Sequence, residues 1–362
     1  MEEIRTQTRP QTLPVLKTLK VADLVAIAAG AFALLWRPSP AWVERTFSNG
    51  YYPRWQHAIS SVTLHLPFAL GDAFALAGVV AVLWRGIAAI RTRRAGPLLD
   101  ALGIAGFYVF WFYAGWGWGY DRAPVQDRLA YDSARITPAA IDALRACAVA
   151  RLNQLAPLAH ARATRATTEE PNDRARLYAA WLPVVQRAGD AWTPRVGRPK
   201  PTLAAPFMDA SGTSGFINPF SLESQLAPDL LWFEKSFSLA HEWTHAAGYN
   251  REDEANYAAV VTCLRDPDVV AQYSGWLELF LYLPPAPHYG KNTFVALVWQ
   301  DFAALRARNA HFVNLNLSRF SWRFYNRYLQ SNHIASGVEN YNEVTQLYAG
   351  IPLVSEGLPM RR

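Results

Sequence analysis

The sequence predicts a mainly α protein in which three N-terminal transmembrane helices precede a larger, predominantly helical outer domain with a small β element. The composition favours a membrane protein, because 51% of the 362 residues are hydrophobic and only 18% are charged, against about 25% charged residues in ordinary soluble domains. Three long apolar runs occur before residue 120, and helical patterns dominate after it. We therefore expect a membrane domain at residues 1–119 and an outer domain at residues 120–362.

The membrane spans are predicted at about residues 20–36, 68–85 and 98–119. The first run is short for a bilayer, although flanking lysines can lengthen it by snorkelling. The alternative is a cleaved signal peptide, since a basic segment precedes the apolar core. The run ends in Trp36-Arg37-Pro38 with no small-residue cleavage site at its polar edge, which favours a span.

The distribution of positive charge predicts the orientation. The N-terminal segment and the loop between the second and third runs hold eight Lys and Arg, whereas the loop between the first and second runs holds three. The N-terminus is therefore expected in the cytoplasm, and the C-terminal domain on the periplasmic or extracellular side of the inner membrane. The aromatic residues expected to form a belt at that outer interface are Trp36, Trp42, Tyr51, Tyr52, Trp55, Trp116, Trp118 and Tyr120.

The net charge of +6 does not indicate nucleic-acid binding. The first 120 residues carry +5 of it, beside the apolar runs, where positive residues set membrane topology. A nucleic-acid site would need a basic face on the folded domain. We expect the lipid bilayer as a partner and no nucleic acid.

One ionisable residue, Asp72, lies near the start of the second run. A carboxylate at bilayer depth is a candidate functional group. The aliphatic stretch begins only after Gly71-Asp72, so we expect Asp72 to cap the free N–H groups of the helix near the outer interface.

The outer domain is predicted to be built from helices around one irregular segment. Thr137-Pro138 is typical of an N-cap followed by proline at the first helical position, and opens a helix to about Ala156. Further helices are expected at residues 172–187, 292–308, 312–329 and 338–348, with one or two short strands within residues 195–226. Cys147 and Cys263 are compatible with either a disulfide or two free thiols.

The segment with the clearest chemistry is His241-Glu242-Trp243-Thr244-His245. On a helix, residues i and i+4 share a face, so both imidazoles can bind one metal ion while Glu242 reaches a water at that ion. Gly248 is expected to end the helix in the left-handed conformation. The alternative is a helix with ordinary histidines, which the apolar residues around the motif disfavour, because unpaired charges are costly to bury.

A third ligand is expected from the segment that follows the turn. Zinc in hydrolytic sites commonly takes two histidines and one carboxylate, leaving a position for water. Glu252 opens the next helix, and Glu254 is the alternative ligand. Glu252 and Asn256 share one face of that helix. This spacing resembles the Glu-x-x-x-Asp/Asn element of the gluzincins, in which the acidic or amide residue steadies a liganding histidine. The expected cofactor is Zn²⁺.

Several further segments carry a resemblance to a known family. They are Pro67–Asp72, Trp116–Arg122, Gly215–Phe220 with Glu223, the His241–Asn256 block, and Tyr325–Leu329 with Gly337-Val338. In these segments the chain resembles the bacterial membrane-protein family of domain of unknown function 3810. The resemblance implies an N-terminal membrane region and a zincin-like extracytoplasmic domain with peptidase activity. Gly119 and Trp243-Thr244 depart from the usual pattern without touching an expected ligand.

The function predicted from these residues is zinc-dependent hydrolysis of a peptide or protein substrate in the cell envelope, with Glu242 as general base. Gly215, Phe216, Ile217 and Asn218 are expected either to bind substrate as an edge strand or to form a structural loop. The candidate transition-state stabilisers, by residue type alone, are Tyr249, Tyr257 and His288. The alternative function is a non-catalytic membrane scaffold with a structural metal site, and a transporter would need more spans.

Overall fold

The computed structural model describes residues 20–163, 171–189, 192–285, 289–331 and 343–362. The chain is mainly helical, as predicted, with one short hairpin. The helices are α1 (Val21–Leu35), α2 (Pro40–Trp42), α3 (Tyr52–Thr63), α4 (Leu70–Thr92), α5 (Ala95–Gly115), α6 (Pro138–Ala163), α7 (Pro171–Arg187), α8 (Ala205–Ser211), α9 (Lys235–Ala246), α10 (Glu252–Arg265), α11 (Val269–Tyr282), α12 (Ala296–Phe312), α13 (Leu315–Ser331) and α14 (Val344–Gly350). The strands are β1 (Gly215–Ile217) and β2 (Ser224–Leu226), and a π-helical segment, Val43–Tyr51, joins α2 to α3.

The chain divides into two compact units. Unit 1 comprises Met1–Trp36 and Ala73–Ala114, and unit 2 comprises Arg37–Asp72 and Gly115–Arg362. Of the described helices, α4 and α5 are long and apolar enough to cross a membrane, and a third span exists if α1 and the adjoining Pro40–Thr63 form one broken span. The apolar helices therefore indicate membrane association.

Unit 1 is held together by close backbone contact between α1 and α5. A Cβ on Gly30 would lie 2.7 Å from the Cα of Gly106, so the pair permits an approach that larger residues would block. At Asp100 the charges are paired, because Lys20 donates to its carboxylate at 2.8 Å and Arg85 lies 3.4 Å from the other oxygen.

The predicted span boundaries are corrected by the helices. The first apolar helix has only 15 residues, and the second continues past residue 85 to Thr92. The third was expected to reach residue 119 but ends at Gly115. Trp116 then leaves the helical conformation, and a 3₁₀ turn follows at Gly117–Asp121. The aromatic and glycine residues after Gly115 thus belong to unit 2 instead of extending the span.

The segment between the first two apolar runs is helical and packed, not the exposed loop used to count charge. The Tyr52 hydroxyl donates to the carbonyl of Ala246 at 3.0 Å, and Arg122 donates to Glu44 at 2.8 Å. The expected aromatic belt is wrong for Tyr52, Trp116, Trp118 and Tyr120, which are buried inside the protein. All four lie within unit 2, where burying an aromatic ring stabilises the fold.

Asp72 lies in the first turn of α4 but does not cap this helix. Its carboxylate accepts hydrogen bonds from the backbone N–H of Leu203 at 2.7 Å and from the side chain of Gln225 at 3.1 Å. The N–H of Gly71 is instead satisfied by Glu223, whose carboxylate accepts it at 3.0 Å. The capping group therefore comes from a distant part of the chain, which local sequence cannot reveal.

The core of unit 2 lies between α9, α10, α11 and the helices packed around them. Trp181 and Trp243 fill it with ring centroids 5.8 Å apart. Thr137 caps α6 as predicted, since its hydroxyl accepts the N–H of Ala140 at 3.1 Å. The helix was expected to end near Ala156 but runs through Pro157 to Ala163, because its buried face packs along α11 and offsets the hydrogen bond that proline removes.

The other predicted elements are largely present. The structure confirms helices near residues 172–187, 292–308 and 312–329, and a two-stranded element within residues 195–226. Of the helix expected at 338–348, residues 338–342 lie outside the described residues, and α14 occupies Val344–Gly350. Cys147 is exposed and Cys263 is buried, and both thiols are free.

Candidate metal centre

The histidine motif lies on α9, and the chain returns immediately to place a carboxylate beside it. Gly248 ends the helix with φ +92°, the left-handed conformation expected of a glycine at this position. The returning helix α10 then begins at Glu252, with three acidic residues in its first turn, where negative charge is favourable at a helix N-terminus. A sharp turn between two packed helices is thus what brings the two motifs together.

The two imidazoles and one carboxylate converge. His241 Nε2 lies 3.3 Å from Glu252 Oε2, and His245 Nε2 lies 3.5 Å from the same oxygen. One ligand atom from each residue lies within 4.8 Å of the others. Two histidines and a glutamate with these separations form a donor set that suits zinc, and could hold a divalent cation. The glutamate and His245 are buried, and His241 is nearly so.

Two of the three side chains, His245 and Glu252, are oriented by a neighbour. His245 Nδ1 lies 2.6 Å from the carbonyl oxygen of Tyr249, so the ring donates there and leaves Nε2 to face the cluster. For His241, the described residues offer no hydrogen-bond partner to Nδ1. The Tyr325 hydroxyl donates a short hydrogen bond to Glu252 Oε1. Such contacts fix ring tautomer and carboxylate direction before a metal binds.

Glu242 is buried beside the cluster without a partner for one of its oxygens. Only 2% of the residue is exposed, and Oε2 accepts no hydrogen bond from the described residues. Its other oxygen faces β1, where a Cβ added to Gly215 would lie 2.6 Å from Oε1. A buried, unpaired carboxylate is costly to the fold, so its place next to three candidate ligands indicates a chemical role.

The protonation preferences of the four groups follow from burial and mutual charge. Burial raises the pKa of Glu242 to about 8. Burial would also raise the pKa of Glu252, but His245 and His241 outweigh it and hold that pKa well below its ordinary value. Burial lowers the pKa of His241, whereas for His245 the carboxylate of Glu252 overcomes burial and raises the pKa to about 9. A metal ion binds the deprotonated ligands and would displace these protons.

The cluster lies on the wall of a cavity of about 660 Å³ in unit 2. The polar part of the wall holds His241, Glu242, His245, Glu252 and Asn256, with Glu278 further along. The rest is largely aromatic and aliphatic, and comes from Trp116, Tyr120, Ala204, Phe207, Met208, Phe216, Ile217, Phe237, Tyr282, Trp322, Phe324, Tyr325 and Tyr328. A site of this size and lining can enclose a peptide segment.

One edge of β1 faces this cavity, and its backbone N–H and C=O groups have no backbone hydrogen-bond partner among the described residues. β1 and β2 are antiparallel, with Phe216 opposite Gln225. On either side of β1, the N–H of Ala227 donates to the carbonyl of Ser214 and the N–H of Asn218 donates to the carbonyl of Glu223, so the even-numbered residues of this segment bond to the β2 side. The N–H and C=O groups of Gly215 and Ile217 therefore point away from β2. Both residues line the cavity, and no backbone hydrogen bond joins them to another described element.

Several residues suggested by sequence lie elsewhere. Glu254 is not in the cluster, because its carboxylate accepts the N–H of Val125 at 2.7 Å and lies 3.7 Å from Arg128. Asn218 belongs to the turn after β1, where its N–H donates to Glu223 and its side chain accepts from Phe220.

Two of the three candidate stabilisers are also displaced from the cavity. The Tyr249 hydroxyl donates to the carbonyl of Val185 at 2.8 Å, so only its backbone serves the site. Tyr257 is buried on α10 and does not line the cavity. His288 lies outside the described residues. Residue type alone could not distinguish these tyrosines from the ones that do reach the site.

The structure adds site residues that motif spacing missed. Tyr325 contacts Glu252, the Trp116 ring lies 6.0 Å from the His245 ring, and the hydroxyls of Tyr120 and Tyr328 are 3.0 Å apart. All four lie in segments that carry the family resemblance, which was the available signal. Glu278 had no such signal, since nothing in its local sequence distinguishes it from a surface glutamate.

Comparison with known proteins gives a match to one protein family. No curated protein and no solved structure matches the chain. The sequence profile of a family described as Protein of unknown function (DUF3810) matches residues 47–349, which is most of the chain and includes the cavity and its histidine motif. The protein therefore belongs to the DUF3810 family.

Proposed function

We propose that this chain is a membrane-anchored, zinc-dependent metallopeptidase that hydrolyses peptide bonds on the outer side of the cytoplasmic membrane. The observation that carries the proposal is the convergence of His241, His245 and Glu252 beside the buried carboxylate of Glu242 on the wall of one cavity. Two histidines and a carboxylate, joined by a separate general base on the same helix, form the arrangement of gluzincin-type zinc hydrolases.

The residues of this chain divide the work of hydrolysis. A zinc ion held by His241, His245 and Glu252 supplies Lewis acidity that polarises the scissile carbonyl and makes water a stronger acid. Glu242 accepts a proton from the attacking water, whose oxygen forms the new bond to the carbonyl carbon. It then gives the proton to the nitrogen as the C–N bond breaks. No described residue donates a hydrogen bond to Glu242 Oε2, so this oxygen is available to accept that proton.

Substrate binding is assigned to β1. The outward N–H and C=O groups of Gly215 and Ile217 can pair with an extended peptide, which becomes a third strand beside Glu242. Asn218 is excluded from this strand because its N–H is already bonded to Glu223. Gly215 has no side chain to separate the peptide from Glu242.

The proposed orientation, with unit 2 outside the cytoplasm, is based on the distribution of positive charge around the apolar helices. Eight Lys and Arg flank the proposed cytoplasmic ends of the apolar helices, against three in the segment expected outside. The four basic residues of the N-terminal segment are Arg5, Arg9, Lys17 and Lys20. With unit 2 outside, the substrate is a peptide or protein of the cell envelope.

The alternative is a scaffold in which the metal only staples α9 to α10. A structural zinc site normally takes four protein ligands. The described residues supply three, and Glu254, the nearest alternative in sequence, is engaged with Val125 and Arg128. A scaffold also has no use for the unpartnered carboxylate of Glu242, which favours the hydrolase.

The test compares the full chain with Glu242→Gln, and with Glu356→Gln as a matched change at an exposed site. Zinc is measured by elemental analysis of each purified protein. Envelope peptides with new N-termini are then compared between cells that make each protein. We expect about one zinc ion per chain in all three proteins, with cleavage products in wild-type and Glu356→Gln cells and none in Glu242→Gln cells.

Two results would contradict the proposal. Identical peptide sets from wild-type and Glu242→Gln cells, with zinc bound in both, would favour the scaffold. Absence of zinc from the wild-type protein after purification without chelator would remove the metal site itself.

A further inference from the structure

Large apolar side chains are exposed on two neighbouring helices beside the cavity. Leu203, two residues before α8, is 72% exposed, and Phe207 in the first turn of α8 is 47% exposed. On α13 the exposed fractions are 66% for Leu315, 63% for Phe320 and 67% for Phe324. Such residues rarely cluster on the surface of a soluble protein without a partner.

These residues form one surface. α8 and α13 pack together, and the N–H of Asn314 donates to the carbonyl of Ala210 at 2.8 Å. Phe207, Trp322 and Phe324 also line the cavity, so the surface continues into its mouth. We refer to Leu203, Phe207, Leu315, Phe320, Trp322 and Phe324 as the α8–α13 surface.

A basic stripe accompanies these residues on α13. Arg319, Arg323 and Arg327 occur every fourth residue, are all exposed, and lie on one side of the helix. No Asp or Glu occurs within α13, and within the described residues none of the three arginines forms an ion pair. A helix with arginines beside exposed Trp, Phe and Leu is typical of one that lies in the interface of an anionic bilayer.

The point at which the chain enters a candidate membrane span adjoins this surface. The carboxylate of Asp72, in the first turn of α4, accepts the N–H of Leu203 at 2.7 Å. α4 is one of the helices long and apolar enough to cross a membrane. Among partners that could cover apolar residues flanked by arginines, a lipid surface is the one that a candidate span starting beside Asp72 would bring to this place in the chain.

We propose that the α8–α13 surface binds the surface of an anionic phospholipid bilayer. The arginines contact lipid phosphates, and the aromatic residues enter the region between headgroups and acyl chains. If the chain is the proposed peptidase, the same geometry also indicates its substrate class. Because the cavity mouth shares Phe207, Trp322 and Phe324 with this surface, the peptides that enter are those held at the membrane, such as lipid-anchored or juxtamembrane segments.

Lipid contact is tested on the full chain in nanodiscs. Cys147→Ser removes the exposed thiol, and an environment-sensitive fluorophore is attached at Phe320→Cys. The matched control is Leu158→Cys, a 53%-exposed leucine on α6, which does not pack against α8 or α13. With spin-labelled lipid, we expect at least about twofold stronger quenching at position 320 than at 158, and more in discs with phosphatidylglycerol than with phosphatidylcholine alone.

A charge variant sharpens the test. Arg319, Arg323 and Arg327 replaced together by Gln should remove the dependence on phosphatidylglycerol while leaving zinc content unchanged. Equal quenching at positions 320 and 158 would overturn the proposal. A shielded fluorophore at 320 that lipid does not quench would also overturn it, in favour of a second copy or another protein on this surface.

The substrate class has its own readout. If wild-type cells yield cleavage products absent from Glu242→Gln cells, we expect the cut sites close to lipid anchors or transmembrane segments. Cut sites spread through soluble envelope proteins would overturn the assigned substrate class while leaving the peptidase intact. Absence of any products would contradict the peptidase, whereas lipid quenching would still stand on its own.

Discussion

Two buried clusters of charge in unit 2 differ in one respect. In the first, Arg308 donates to Asp229 at 2.8 Å and to Glu234 at 2.6 Å, so one guanidinium pairs with both acids. In the second, the metal centre, the described residues place no lysine or arginine within ion-pair distance of Glu242 or Glu252. Among the described residues, the basic groups that pair with Glu252 there are His241 and His245.

The difference shows how a candidate metal site can be recognised without an ion. Burying carboxylates costs several kcal/mol each unless a cation and hydrogen bonds compensate. The Arg308 cluster supplies its cation from the chain itself. The cluster at Glu252 offers three candidate ligands beside the buried carboxylate of Glu242, and a divalent cation from outside would compensate their charge.

The largest expected effect comes from removing a ligand. His245→Ala should lose zinc and reduce turnover by about a thousandfold or more, because general-base catalysis and metal activation fail together. Elemental analysis and the appearance of envelope cleavage products measure the two effects. His311→Ala, an exposed histidine on α12, is the matched control. Retention of zinc at wild-type stoichiometry in His245→Ala would contradict the ligand assignment.

The next prediction concerns the stability of the Arg308 cluster, compared with that of Glu242. Arg308→Met should destabilise unit 2 by about 3–5 kcal/mol, since it leaves Asp229 and Glu234 buried without a cation. Glu242→Gln, measured at pH 5 after chelation, should change stability by less than about 1 kcal/mol, because at that pH the buried side chain is protonated and the unfolded chain has released only part of its proton. Thermal unfolding monitored by near-UV circular dichroism compares the two. Equal losses would mean that Glu242 is held by structural pairing like Arg308.

A smaller effect tests the strand beside the base. Gly215→Ala places a Cβ within 2.6 Å of Glu242 Oε1, so either the strand or the carboxylate must move. We expect turnover to fall by about a hundredfold with zinc retained, because displacement of the reacting groups by an ångström is enough. Gly290→Ala is the control, with one atom 4.0 Å from the added Cβ. Unchanged turnover in Gly215→Ala would separate β1 from the reaction.

The smallest effect concerns Glu278, which lines the cavity away from the metal ligands. Burial and the nearby Glu234 raise its pKa from 4.5 to about 8, although Arg308 opposes this. The folded protein therefore keeps a proton that the unfolded chain releases near pH 4.5, and this stabilisation is lost as pH rises through 8.

Replacing this group should remove that dependence. Glu278→Gln should match wild type in stability near pH 4.5 and exceed it by roughly 1–2 kcal/mol at pH 6, because each pH unit between the two pKa values costs the wild type about 1.4 kcal/mol. The two unfolding curves, measured at both pH values, give the difference. A constant difference across this range would show that Glu278 is ionised in the folded protein throughout.

Local sequence was sufficient for features that depend on neighbours along the chain. Helical spacing placed His241 and His245 on one face, and Gly248 allowed the left-handed turn that returns Glu252 to them. Apolar runs located α4 and α5, because a span of lipid needs a long uninterrupted stretch. Thr137 marked the start of α6 through the hydrogen bond that its hydroxyl makes three residues on.

Features that depend on distant contacts were decided only by the tertiary structure. Asp72 binds Leu203 and Gln225, and Gly71 is capped by Glu223, because partners far along the chain compete with local capping. Trp116 and Tyr120 are buried inside unit 2 and do not form the predicted aromatic belt, because burial in the protein removes more of their apolar area from water.

The division at the metal centre has the same physical origin. Glu252 and Glu254 are chemically identical and two residues apart, but the helix directs one towards the histidines and the other towards Val125. Tyr325 reaches Glu252 from another helix, 73 positions further along the chain. The sequence by itself determined which residues could bind a metal, and the packing of α9, α10 and α13 decided which of them meet.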